Sequence, residues 1–122
     1  MNGMNKVIMI GRLGREPDVR LSRESGTMWC SFTLATHRRV RVDDGWNEHT
    51  DWHRVKCFGG LAEHCGTYLS KGSLVAIDGA VHSDQWSTED GEKKYATSIV
   101  ADSITFLDPV QRNIEASARV ES

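Results

Sequence analysis

The sequence predicts an all-β fold, a small, partly open barrel of five strands with one short helix. Three observations favour this class. Apolar and polar residues alternate over several segments, which is the period of a half-buried strand. Clusters of glycine and acidic residues, typical of turns, separate these segments. A single segment has helical spacing and follows the third strand, so helices do not alternate with strands and a parallel sheet is disfavoured.

The first strand is predicted at residues 7–10, where the run Val-Ile-Met-Ile is apolar on both faces. One face would pack on the core and the other on a partner subunit. Turn signals follow at 16–18 and 22–26. A second strand is expected at about residues 27–39. Its apolar parity consists of Met28, Cys30, Phe32 and Leu34, and its other parity of Trp29, Ser31, Thr33 and Ala35.

The remaining elements follow a turn predicted at 42–45, which makes a long hairpin of the second and third strands. After the third strand, a glycine pair and helical spacing predict an amphipathic helix that ends near Lys71-Gly72. A fourth strand at about 73–86, a turn at 88–91 and a last strand at about 94–106 complete the pattern.

Five strands with one helix between the third and fourth are the layout of the OB-fold, a barrel that binds oligonucleotides. The domain is expected to span residues 1–107. No pattern is evident after Asp108-Pro109, so residues 108–122 are expected to form a flexible C-terminal segment.

Composition excludes several classes of protein. The 122 residues suffice for one domain, and no apolar run approaches the roughly 20 residues of a membrane span. Without a signal-peptide pattern, a cytoplasmic, nucleoid-associated location is expected. The three cysteines have no CxxC spacing and are expected to be buried reduced thiols. Without metal-ligand spacing, a P-loop or a dinucleotide turn, we expect no enzyme, cofactor or metal site.

The third strand, residues 52–58, is the most informative segment. One parity reads Trp52, Arg54, Lys56 and Phe58. The opposite parity, with Val55 and Cys57, suits a core, and His53 would be an interior or interface residue. A face that carries two aromatic rings and two cations suits a ligand with flat apolar rings and an anionic backbone, and single-stranded nucleic acid is such a ligand. The overall net charge of −2 argues weakly against this, so a local basic face is required.

An ordered set of short motifs gives the chain a resemblance to the bacterial single-stranded DNA-binding protein family, including its phage and plasmid relatives. Each motif is weak alone, but together they cover roughly residues 5–107 in the right order. The motifs are Asn5-Lys6-Val7-Ile8, Gly11-Arg12-Leu13-Gly14, Glu16-Pro17-Asp18-Val19-Arg20, Phe32-Thr33-Leu34-Ala35-Thr36, Asp51-Trp52-His53-Arg54-Val55, Phe58-Gly59, Leu61-Ala62-Glu63, Tyr68-Leu69-Ser70-Lys71-Gly72-Ser73 and Ile77-Asp78-Gly79.

The resemblance implies an OB-fold homotetramer that coats single-stranded DNA during replication, recombination and repair, without catalysis. The family's stacking aromatics fall on Trp52, Phe58 and Trp86. The candidate phosphate contacts on this chain are Arg54, Lys56, Arg39, Arg41 and Lys71, with Arg12 and Lys93 as weaker ones.

This chain departs from the resembled family at two places. Val40 stands where many members have a further tryptophan, and Trp29 or Trp46 would be the substitutes. The sequence also ends without the acidic tip through which the family recruits replication and repair proteins. Two alternatives stay open: a module that binds partner proteins, and a preference for RNA, because stacking alone does not discriminate the 2′-OH.

Overall fold

The computed structural model describes residues 3–108 and folds them into six strands and one helix. The elements are β1 (Val7–Leu13), β2 (Asp18–Leu21), β3 (Met28–Val42), β4 (Gly45–Phe58), α1 (Gly60–Tyr68), β5 (Leu74–Ser87) and β6 (Lys93–Phe106). The predicted all-β OB-fold is confirmed, with the helix between β4 and β5, the third and fourth of the predicted strands. The predicted flexible segment at 108–122 lies outside the described residues, apart from Asp108.

Five of the strands close into a barrel in which every neighbour pair but one is antiparallel. The strand order is β1-β5-β6-β4-β3, and β1 returns to pair with β3 through Leu13 and Leu34. The parallel join between β4 and β6 comprises only two residue pairs, which makes it the shortest ladder joining the long strands. Where β1 crosses β3, a Cβ on Gly11 would overlap the Ala35 carbonyl, so this close approach requires glycine.

The core consists of the inward side chains of the barrel strands, and α1 covers one end of it with Ala62 and Cys65. All three cysteines are free and buried, as predicted. The Sγ atoms of Cys57 and Cys65 lie 3.8 Å apart. Hydrogen bonds with the thiols of Cys30 and Cys65 raise the pKa of the Cys57 thiol, and burial raises it further, so this thiol stays neutral.

Two details differ from the sequence prediction. The strand β2 was not predicted; it extends the sheet at the edge of β3, and its four residues are all exposed, so no alternation marks it. The helix is shorter than expected, because Leu69 takes an extended conformation and returns its side chain to the core. Within the described residues, no helix is long and apolar enough to cross a membrane.

The outer face of β1 is apolar and uncovered in the single chain. The side chains of Ile8 and Ile10 are 71% and 60% exposed, whereas Val7 and Met9 pack against the core. Along residues 7–11 only one edge of β1 is paired, with β5, among the residues that the structure describes. An unpaired edge beside an exposed apolar face is a surface on which a second strand can add.

Candidate nucleic-acid interface

The predicted alternation along β4 is confirmed by the burial of its side chains. Val55 and Cys57 are fully buried, whereas Trp52 is 61% and Phe58 49% exposed. The inward His53 is half-buried, and its Nε2 lies 2.8 Å from the hydroxyl of Thr36 on β3. The aromatic rings that sequence parity singled out therefore lie on the outer surface of the barrel.

The strand β3 contributes a matching row to the same face. In the antiparallel register, Trp29 lies opposite Phe58 and Thr33 opposite Arg54, while Ala35 lies opposite Trp52. Directly opposed residues point to the same side of a sheet. The position of Trp29, which the sequence left open, is thus on the face of Phe58.

Three neighbouring clefts line this face. A cleft of about 300 Å³ is bounded by Gly14, Arg15, Thr33 and Trp52. The next, of about 410 Å³, contains Arg54 and Lys56, together with Trp29 and Arg15. The third, of about 420 Å³, lies between Trp29 and Phe58. Arg15 was missed from the sequence, because it lies in the loop between β1 and β2, where parity gives no signal.

The two cations at the centre of the face are weakly engaged within the protein. Arg54 forms no ion pair with another residue of the described part. The Nζ atom of Lys56 lies 3.9 Å from Oδ2 of Asp84, too far for a hydrogen bond. Both charges are therefore available to an anionic ligand.

The long β3–β4 hairpin extends the same face away from the barrel. The guanidinium groups of Arg39 and Arg41 lie 4.8 and 5.6 Å from the ring centroid of Trp46, which is 53% exposed. Both distances are within the range of cation–π contacts. Arg38 points to the other face, where it donates a 2.8 Å hydrogen bond to Asp51 and thereby lowers the pKa of that carboxyl.

Val40 lies on the face of the hairpin opposite Trp46. The ladder pairs Val40 with Asn47 and Arg41 with Trp46, so Val40 and Trp46 lie on opposite faces of the hairpin. Trp46, not residue 40, therefore shares the parity of Trp52. Of the two extra tryptophans, Trp46 is the one on the hairpin arm and Trp29 is the one on the barrel.

The third predicted aromatic, Trp86, lies near the tip of the β5–β6 hairpin and is 49% exposed. Trp86 lies on the same face of β5 as His82 and Asp84. These two residues line a cleft of about 340 Å³ together with Phe58. The residue paired with Trp86 is Lys94, because the β5–β6 register skips one residue near Gly79. The two hairpins therefore extend the rows of aromatic and cationic side chains in two directions.

Three predicted cations lie away from these clefts. The Arg12 guanidinium donates a 2.9 Å hydrogen bond to the Gly72 carbonyl and lies 3.6 Å from Asp108. Lys71 is in the loop after α1, next to Glu16, which accepts a hydrogen bond from its backbone N–H. Lys93 lies opposite Ser87 in the β5–β6 ladder, so it is on the other face of the hairpin from Lys94 and Trp86. Phosphate contacts by these three residues stay predictions.

The face as a whole offers two kinds of interaction. Exposed rings can stack on flat heterocycles, and weakly engaged cations can contact phosphate. Among residues 3–108, no three His, Cys, Asp or Glu side chains come together in a group that could hold a metal ion.

Comparison with known proteins agrees with this geometry. The model of the Single-strand binding protein family matches residues 4–107. A Single-stranded DNA-binding protein of Xylella fastidiosa strain Temecula1 is 41% identical over 105 residues, which are 86% of this chain and 64% of that protein. Its counterpart in Xanthomonas axonopodis pv. citri is 42% identical over 86% of this chain and 58% of its own length. The chain thus spans less than two thirds of both relatives.

A second protein of Xylella fastidiosa, Single-stranded DNA-binding protein 1, is 40% identical over 93% of this chain and 84% of its own length. Among solved structures, the chain is similar to one titled "Plasmodium falciparum SSB complex with ssDNA". The TM-score is 0.79 and the identity 30%, over 88% of this chain and 98% of that one. Because the family model covers most of the chain and the relatives share about 40% of its residues, the chain belongs to the single-strand binding protein family.

Proposed function

We propose that the chain binds and coats single-stranded DNA without sequence preference, during replication, recombination and repair. The observation that carries the proposal is the outer face of β3 and β4, where the exposed rings of Trp52 and Phe58 flank two weakly engaged cations, Arg54 and Lys56. Bases stack on Trp52, Phe58 and Trp86. Stacking of this kind contributes roughly 1–3 kcal/mol per base in such proteins, a value that belongs to the class and not to this chain.

Phosphates are contacted by Arg54 and Lys56 on the barrel and by Arg39 and Arg41 on the hairpin arm. Lys71, Arg12 and Lys93 are further predicted contacts. The chain acts by binding alone, without catalysis, metal or cofactor, in the cytoplasm at the nucleoid. Replication and repair proteins are proposed as partners on the basis of family membership.

The proposed assembly is a homotetramer. Its support is the outer face and free edge of β1, where Ile8 and Ile10 are exposed. Pairing of two β1 strands across a two-fold axis would satisfy the backbone groups of both edges and bury these side chains. The surface that remains for DNA is separate, because the rows of aromatic and cationic side chains lie on β3 and β4.

The experiment that tests the proposed function is a titration of tryptophan fluorescence with oligo(dT), at low and at high salt. Duplex DNA and oligo(U) are the controls. We expect quenching by the single strand of DNA and little response to duplex. The logarithm of the binding constant should fall with the logarithm of the salt concentration, with a slope of about −0.7 for each phosphate neutralised.

Other outcomes of this titration distinguish the alternatives. An equal response to duplex, or none to either form, contradicts strand coating and favours a protein-interaction module. Tighter binding of oligo(U) than of oligo(dT) contradicts the choice of DNA. A double variant, Arg54→Ala with Lys56→Ala, should reduce the salt slope by about 1.4 if each cation neutralises one phosphate.

Gly14→Ala is expected to weaken strand binding by displacing the Trp52 ring. A Cβ at position 14 would overlap the ring at Cζ3 and lie 3.0 Å from Oγ1 of Thr33. Gly14 does not have a left-handed conformation, so alanine adds no backbone strain. We expect roughly a fivefold loss of affinity for oligo(dT), equivalent to about 1 kcal/mol. Circular dichroism should show that the fold is unchanged.

The matched control is Gly60→Ala, because a Cβ at that position meets no atom within 4 Å. It should bind as the wild-type protein does. Wild-type affinity in Gly14→Ala would show that Trp52 needs no support from the loop after β1.

Val40→Trp is expected to tighten binding by adding a ring to the hairpin arm. The new ring would lie on the Asn47 side, so a strand that passes over the edge of the arm can stack on it. A gain of roughly fivefold corresponds to the lower limit for one stacked base. Anisotropy of a labelled oligonucleotide measures the change. No gain would place the strand on the Trp46 side alone, and Trp46→Ala should then lose affinity.

A further inference from the structure

Trp29 and Phe58 form the last cross-strand pair of the β3–β4 ladder. Beyond this pair, the backbone N–H of Gly59 donates a 2.7 Å hydrogen bond to the Met28 carbonyl, which fixes where the two strands separate. Trp29 is half-buried and Phe58 half-exposed, so the indole is anchored while the phenyl ring extends further into solvent. The two rings together form an aromatic site at one end of the interface.

The turn between β2 and β3 lines this aromatic site with hydroxyl groups. Ser22, Ser25 and Thr27 line the cleft of about 420 Å³ together with Trp29, Lys56 and Phe58. The turn is held by backbone hydrogen bonds from Ser22 to the Thr27 carbonyl and from Gly26 to the Ser22 carbonyl, both of 2.8 Å. A volume of this size is in the range of small-ligand sites, about 300–1,000 Å³.

The charges around Trp29 distinguish its two sides. The cleft on the side of the β1–β2 loop contains three cations, Arg15, Arg54 and Lys56, together with the carboxylates of Glu16 and Asp18. The cleft on the Phe58 side has one cation, Lys56, and no carboxylate among its lining residues. The Phe58 side therefore places a single cation beside the two rings, with no carboxylate lining the same cleft.

We propose that Trp29, Phe58 and the Ser22–Thr27 turn form a pocket that holds one nucleobase of the bound strand, with Lys56 against its phosphate. Trp29 is then a stacking residue in addition to the three that family resemblance implies. The proposal rests on the proposed function, because it requires that a single strand lie on the β3–β4 face.

The hydroxyl groups of Ser22, Ser25 and Thr27 determine which chemical class of ligand the pocket can bind. A serine or threonine hydroxyl both donates and accepts hydrogen bonds, so it can pair with a carbonyl, a ring nitrogen or an amino group of a base. The pocket therefore admits all four bases, in keeping with binding that lacks sequence preference.

The first test compares Trp29→Leu and Trp29→Phe by anisotropy of labelled oligo(dT). Leucine keeps apolar bulk but has no π-face, whereas phenylalanine keeps a smaller ring. We expect Trp29→Leu to lose roughly 5- to 150-fold in affinity, as for one stacked base, and Trp29→Phe to lose much less. Equal affinity of Trp29→Leu and wild type overturns the proposal.

The second test is photocross-linking of the wild-type protein to an oligonucleotide that contains 5-iododeoxyuridine, with the adduct mapped by mass spectrometry. It keeps the proposal falsifiable even where Trp29→Leu fails to fold. An adduct on Trp29 or Phe58 supports the pocket. Adducts on Trp52 or Trp86, with none on Trp29 and Phe58, overturn the pocket and leave the proposed function intact. An oligonucleotide that does not bind at all overturns both.

Discussion

Trp52→Ala is expected to weaken binding of oligo(dT) by roughly 5- to 150-fold, the equivalent of one stacked base. The ring is 61% exposed and lines a cleft with Gly14 and Thr33, so its removal takes away stacking surface. Core packing around Val55 is on the opposite parity and stays intact. Anisotropy of a labelled oligonucleotide gives the affinity independently of the lost tryptophan fluorescence.

The matched control for this prediction is Tyr95→Ala. Tyr95 is a comparably exposed aromatic residue, but it pairs with Gln85 on the other face of the β5–β6 hairpin from Trp86. Its loss should leave affinity unchanged. If Trp52→Ala binds as tightly as the wild type while thermal melting is normal, Trp52 does not belong to the site.

Ile8→Asp is expected to dissociate the proposed tetramer into smaller species. If β1 is an interface strand, the new carboxylate is buried there without a partner, and an unpaired buried charge costs about 3–5 kcal/mol. In the isolated chain Ile8 is 71% exposed, so the subunit itself should fold. Light scattering at micromolar concentration measures the mass of each species.

Leu21→Asp provides the comparison for assembly. Leu21 is exposed to nearly the same degree as Ile10 but lies on β2, which pairs with residues 28–31 of β3. It should leave the mass unchanged. A monomer mass for the wild-type protein would contradict the tetramer outright, and an unchanged mass for Ile8→Asp would place the interface elsewhere.

Much of the barrel face could be predicted from the sequence because it depends on alternation within one strand. The parity of residues 52–58 separated Trp52 and Phe58 from Val55 and Cys57, and their burial confirms the separation. Parity within a strand is a local property, so it needs no knowledge of the neighbouring strand.

What could not be predicted depends on how strands pair. Trp29 had a known parity, but its position beside Phe58 follows from the β3–β4 register. Lys94 faces Trp86 only because the register skips a residue near Gly79, and such a bulge has no signal in the spacing of apolar residues. The strand β2 was missed for a different reason: all of its side chains are exposed, so no pattern distinguishes it from a loop.

The short parallel join between β4 and β6 has a consequence for stability. It comprises two residue pairs, and one of them contains Lys56, which also lines three of the clefts on the candidate interface. A nucleic-acid strand bound across this join would hold β4 and β6 together where only two residue pairs connect them. A ligand that binds only the folded state adds about 2.7 kcal/mol at a hundredfold excess over its Kd. Binding of a strand would therefore stabilise the folded barrel.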